Sequence, residues 1–151
     1  MRIQIASRDE LRVVVLLDVL YLKASHNYTD FVFVDGRSKS ELIGISEIEK
    51  LIIHSFQKQD TTNTFVRLGR SLLVNTYYVE LVSVKLMIIS FRGNPQVTLS
   101  ASKHTLMQLK KYLSENPLSY ENLGNFPIGF HRTTFASPSP QPRSTQGVPK
   151  G

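Results

Sequence analysis

The sequence predicts a mainly β fold with two short helices and a disordered C-terminal tail. Three observations predict it. Short runs of β-branched, leucine and aromatic residues recur from Leu11 to Leu99. Turn signals separate them, among them Asp35-Gly36 and Gly93-Asn94-Pro95. Only two stretches, around Ile45–Ile52 and Leu106–Leu113, repeat apolar residues at the period of a helix.

Taken in order, Leu11–Leu17 is a continuous apolar run rich in valine and reads as a buried strand. Val19–Ala24 reads as a second strand and Tyr28–Val34 as a third. The third ends at Asp35-Gly36, a two-residue hairpin signal, with Arg37–Leu42 returning. A short helix follows. Ser46 and Glu49 have the spacing of a capping box, and Ile45, Ile48, Leu51 and Ile52 share one face. Asp60–Thr64 is polar and turn-like. Further strands are predicted over Phe65–Leu68, Leu72–Val74, Val79–Val84, Leu86–Phe91 and Gln96–Leu99. The closing helix should start near Ser102, keep Leu106, Leu109 and Leu113 on its apolar face, and carry Lys110 and Lys111 in its last turn before Pro117.

Beyond residue 114 the texture changes. Residues 115–135 form a C-terminal extension that keeps Tyr120, Phe126 and Phe130 and can dock on the domain. Residues 136–151 hold Pro138, Pro140, Pro142 and Pro149 and no aromatic residue. Such a basic Pro/Ser-rich tail cannot offset its ordering entropy by burial and is expected to be disordered.

The 151 residues carry a formal net charge of +6, of which Arg132, Arg143 and Lys150 supply half from a segment without acidic residues. The part before them is only mildly basic, so charge alone is weak support for a nucleic-acid partner. No apolar run approaches the roughly 20 residues of a membrane span, and the N-terminus lacks the pattern of a secretory signal. A cytoplasmic protein with no membrane partner is expected. The absence of cysteine removes disulfides, thiolate metal sites and thiol nucleophiles. His26, His54, His104 and His131 show no metal-binding spacing. No phosphate-binding loop, dinucleotide glycine pattern or nucleophile elbow is present. Neither an enzyme nor a cofactor is expected.

Three polar segments at junctions between regular elements stand out instead. In Ser25-His26-Asn27-Tyr28-Thr29, asparagine suits the N6/N7 edge of adenine, and the tyrosine and threonine hydroxyls suit phosphates. By itself the segment also reads as a polar turn with the asparagine in a left-handed conformation. In Phe65–Asn75, Arg70 can fork onto guanine, and Arg67 either does the same or braces the fold. Gly69 permits close backbone approach, and Asn75 reads as a turn residue. At Ser102-Lys103-His104, Ser102 reads as a helix N-cap. Lys103 is slightly unfavourable in a first turn unless an anion sits there. His104 can read a base or face solvent.

Together these segments resemble the LytTR family, the output domain of many bacterial response regulators. Asp18–Thr29 is similar to the family signature D-I-x-Y-I-x-A-x-x-N-Y-T, Phe65–Asn75 to F-x-R-x-H-R-S-x-L-V-N, and Ser102–Lys111 to S-R-x-x-L-x-x-L-K, in the family's order. The resemblance covers residues 2–114 and implies a DNA-binding domain over 1–114. It implies an elongated stack of small sheets whose loops, rather than a recognition helix, enter successive major grooves. It also implies contacts around Asn27, Tyr28 and Thr29, at Arg70 and at Lys103 or His104, and a second copy on an adjacent half-site; together with His26, Arg67, Ser71 and Ser102 these are the candidate DNA-binding residues. Two departures matter. Gly69 stands where the family usually has histidine, and Lys103 where it often has arginine, which keeps the charge but loses the planar fork. Because the matching segment begins almost at Met1, no upstream receiver domain is expected. Input would then come from expression level, a regulatory protein or the C-terminal segment. A second reading of the same scaffold is a protein-interaction module or anti-regulator that does not bind DNA; Gly69 and the modest charge favour it.

Overall fold

A computed structural model describes residues 1–117. The expectations for most of 115–135 and for 136–151 lie outside the described residues. The strands are β1 (Arg2–Ala6), β2 (Leu11–Val15), β3 (Val19–Ser25), β4 (Tyr28–Phe33), β5 (Ser38–Glu41), β6 (Phe65–Leu68), β7 (Leu72–Asn75), β8 (Val79–Ser83), β9 (Ile88–Phe91) and β10 (Thr98–Ser100). The helices are α1 (Ile45–Lys58) and α2 (Lys103–Glu115). Single 3₁₀ turns at Leu16–Asp18 and Thr76–Tyr78 lead into β3 and β8.

These strands form three small antiparallel sheets: β1-β2, β5-β4-β3-β7-β6 and β10-β9-β8. The five-stranded sheet is the middle layer, because its strands send alternate side chains to opposite sides. Leu22, Phe31 and Leu73 pack with Ile3, Ile5 and Val14 of the two-stranded ribbon and with Ile45, Ile48, Ile52 and Phe56 of α1. Leu20, Leu72 and Val74 pack with Ile89, Phe91 and Leu99 of the third sheet and with Leu106 and Leu109 of α2. All of β7 is buried, as a strand covered on both faces must be. The β-rich prediction with two helices is the observed class.

Several local expectations are corrected. Leu11–Leu17 is not one buried strand. It bends into a 3₁₀ turn at Leu16, and Leu11, Val13 and Val15 are exposed because nothing among the described residues covers the outer face of the ribbon. The capping box at Ser46 and Glu49 does not form. Gly44 is the N-cap of α1 without a side-chain bond, and Glu49 is drawn instead to Arg67, 2.7 Å away. Lys110 and Lys111 lie inside α2 rather than in its last turn, since the helix continues to Glu115. Strand β1, with Ile3 and Ile5 inward, adds an element that the sequence reading left unassigned.

A hairpin forms at Asp35-Gly36 as predicted, but its loop has three residues, Val34–Gly36, between the paired Phe33 and Arg37, rather than two. Gly36 takes φ +90°, and the Phe33 N–H donates to the Arg37 carbonyl. The Asp35 carboxylate accepts from the Arg37 backbone N–H and guanidinium, which holds its pKa below the usual carboxylate value. Between the layers, the buried Tyr78 hydroxyl donates to the Leu17 carbonyl, and burial pushes its pKa up.

Candidate nucleic-acid interface

Hairpin β3–β4 turns through His26 and Asn27, with Ser25 opposite Tyr28. His26, not Asn27, takes the left-handed conformation, at φ +58°. His26, Asn27 and Tyr28 are exposed at the tip. Thr29 is not. It is fully buried, and its hydroxyl donates to the Ile43 carbonyl at 2.8 Å, so it fastens β4 to the segment before α1. The alternation of a strand separates the two neighbours: Tyr28 points out and Thr29 in.

The β6–β7 hairpin turns through Gly69, Arg70 and Ser71, with Gly69 at φ +64° and open space where a Cβ would sit. The Ser71 carbonyl accepts from the Ala24 N–H at 2.8 Å, which fixes this turn beside the end of β3. Both hairpin turns therefore lie at the same end of the middle sheet. Arg70 is exposed. Arg67 is held inward: its guanidinium donates to Glu49 at 2.7 Å and to the Arg70 carbonyl at 2.6 Å. Arg67 thus braces the turn that presents Arg70, and Arg67→Lys is a direct test. A lysine can keep the ion pair but cannot reach both acceptors with a planar fork. The expected loss is about 1–2 kcal/mol in stability, read by urea denaturation. An unchanged midpoint would remove the bracing role.

Ser102 caps α2 as predicted. Its hydroxyl oxygen accepts from the Thr105 N–H at 3.2 Å. Lys103 and His104 are exposed on the first turn, which has no acidic residue. This helix start faces the second turn across an open groove of about 300 Å³, lined by Gly69, Arg70, Ser71, Ser100, Ser102 and Thr105. Lys23 also lines it. The sequence reading missed Lys23 because it sits mid-strand among apolar neighbours, and only the register of β3 with β7, Lys23 opposite Leu72, brings it here. Lys23, Arg70 and Lys103 take part in no ion pair among the described residues. Cations left unpaired around one concavity leave a positive field for an anionic partner.

A larger groove, about 500 Å³, lies between β2 and β5. It contains none of the predicted site residues, and the Arg12–Glu41 ion pair joins the two strands beside it. Among the described residues no cluster of three or more histidine, aspartate and glutamate side chains is placed to hold a metal. No helix there is long and apolar enough to cross a membrane.

Comparison with known proteins gives two findings. A solved LytTr DNA-binding domain of a response regulator from Bacillus cereus is similar to this chain with 16% identity and a TM-score of 0.48, over 74% of this chain and 95% of that one. Nothing among the curated proteins matches. The sequence model described as the LytTr DNA-binding domain matches residues 9–114, most of the chain. The chain therefore belongs to the LytTR family of DNA-binding domains, a family that binds DNA in the regulation of transcription and is not an enzyme class.

Proposed function

We propose that this protein reads a specific double-stranded DNA sequence in bacterial transcriptional control, with its loops entering successive major grooves. The reading places it in the cytoplasm, where the chromosome lies. What supports it is the convergence of three polar segments, distant in sequence, at one end of the middle sheet, two of them lining a groove with Lys23 and Arg70, which take part in no ion pair among the described residues. Arg70 is the base reader, forking onto guanine O6 and N7. Asn27 contacts adenine, and His26 and His104 stand at the two flanks of the surface. Tyr28, Ser71, Lys23 and Lys103 hold phosphates and fix the register. Thr29 and Arg67 act behind that surface, as brace and clamp, and Ser102, on the groove itself, caps α2. Two copies bind adjacent half-sites.

Selection of bound duplexes from a random library at physiological salt tests this. An enriched motif is expected; no enrichment from folded protein overturns it. That outcome would favour a protein-interaction module without DNA affinity, a reading to which the missing side chain at Gly69 lends weight. Lys103→Ala is expected to weaken target and scrambled duplexes alike. It should also flatten the slope of log affinity against log salt by about 0.9, the value of one phosphate contact. A salt titration by fluorescence anisotropy reads both, and a loss confined to the target would reassign Lys103 to base reading.

A further inference from the structure

We infer that the tip of the β8–β9 hairpin, Val84–Met87, is a fourth DNA-contacting element that seats against the sugar–phosphate backbone next to α2. This rests on the DNA-binding reading above. No family signature quoted for this sequence reaches the tip, so the inference stands on its placement.

Strand β10 delivers the chain to α2, and its register with β9 puts Ser100 opposite Ile88. One step further the Ala101 N–H donates to the Met87 carbonyl at 3.3 Å. The tip therefore lies alongside Ala101, which itself lines the groove and stands two residues before Lys103. It is held in place, because the Ser83 hydroxyl oxygen accepts from the Leu86 N–H at 3.0 Å.

Its chemistry is unusual for a hairpin tip. Leu86 is 61% exposed and Met87 40% exposed, although turns of this kind favour small polar residues. Met87 sits at φ +59°, a position that hairpin loops reserve for glycine or asparagine. A large side chain is thus kept at a backbone cost and then left in solvent, the pattern expected where a side chain is needed by a ligand. Lys85 is exposed beside it, and Val84–Met87 contains no acid. A cation next to two apolar side chains suits a sugar–phosphate backbone: the ammonium meets a phosphate, and Leu86 lies on the apolar side of a deoxyribose. The positive charge and the continuity with Lys103 favour DNA over a protein partner.

The test uses the full chain and a duplex carrying the selected motif. Hydroxyl-radical footprinting should show protected sugars that become exposed in Leu86→Ser and Lys85→Ala. Lys85→Ala should lower affinity about three- to tenfold and flatten the salt slope by about 0.9. Leu86→Ser should lower affinity about threefold with the slope unchanged. Met87→Gly should raise the melting temperature by a few degrees while weakening binding. Unchanged footprints and affinities in all three variants overturn the inference and leave the tip to a protein partner. Failure of the wild type to bind any duplex would instead overturn the DNA reading of the groove, and this inference with it.

Discussion

Asn75→Ala should lower the free energy of unfolding by about 3–5 kcal/mol, because one side chain satisfies three buried polar groups. Asn75 is 1% exposed. Its amide nitrogen donates to the Val19 carbonyl at 3.0 Å. Its oxygen accepts from the Thr64 hydroxyl at 2.8 Å and from the Tyr77 N–H at 3.2 Å. Those partners belong to β3, to the loop entering β6 and to the 3₁₀ turn before β8, so the asparagine joins the middle sheet to the chain leaving it. Alanine strands a carbonyl, a hydroxyl and an N–H away from water, each at a cost of about 1–3 kcal/mol, with partial relief from relaxation. Asn75→Asp should be at least as harmful, since a carboxylate would face the Val19 carbonyl. Urea denaturation measures both. A loss below about 1 kcal/mol would show that water or a neighbour replaces the amide. DNA affinity of the folded fraction should not change, which separates this residue from the proposed contacts in the same segment.

Asn75 also shows what a linear sequence conveys. Its turn role was legible, because asparagine after a β run caps turns locally. Its bond to Val19 was not, because that needs the pairing of β3 with β7. Strands were legible wherever β-branched and aromatic residues met a turn signal. Strand β1 escaped because it offers only Ile3 and Ile5 between polar residues. The Leu11–Leu17 run misled for the opposite reason. Consecutive apolar residues imply cover on both faces, yet burial is decided by what stacks on a strand, and among the described residues nothing stacks on the outer face of this two-stranded ribbon. The start of α1 was misplaced because Glu49 had two suitors. The local cap was visible in sequence; Arg67, eighteen positions away, was the one that took it.

In the candidate interface, the segments were legible and the individual side chains less so. Polar stretches interrupting strands mark loops, and three of them together match one family. Which residue of a pair points outward depends on strand phase, and the phase of β4 turns Tyr28 to solvent and Thr29 to Ile43. Lys23 carried no local signal at all. It joins the groove because β3 and β7 are paired, and the β8–β9 tip approaches α2 because β9 and β10 are.

Arg70→Ala should leave stability within about 0.5 kcal/mol of the wild type and cost about 1–3 kcal/mol of binding to the preferred duplex, five- to 150-fold in affinity. The asymmetry follows from the hairpin. The fold uses the backbone of Arg70, whose carbonyl accepts from Arg67, while the exposed side chain makes no ion pair among the described residues. Removing the side chain keeps that clamp and deletes only what the turn presents. Selection from a random library with the variant should give the wild-type motif with one base pair relaxed. Arg70→Lys then decides between two ways in which a cation can help. Lysine preserves the charge, and with it the salt dependence, but cannot make two parallel bonds to guanine. If Arg70 reads a base, the lysine variant keeps the salt slope and loses the discrimination. If lysine restores both affinity and motif, Arg70 serves as a phosphate anchor, and base reading must fall to the His26–Asn27 tip or to His104.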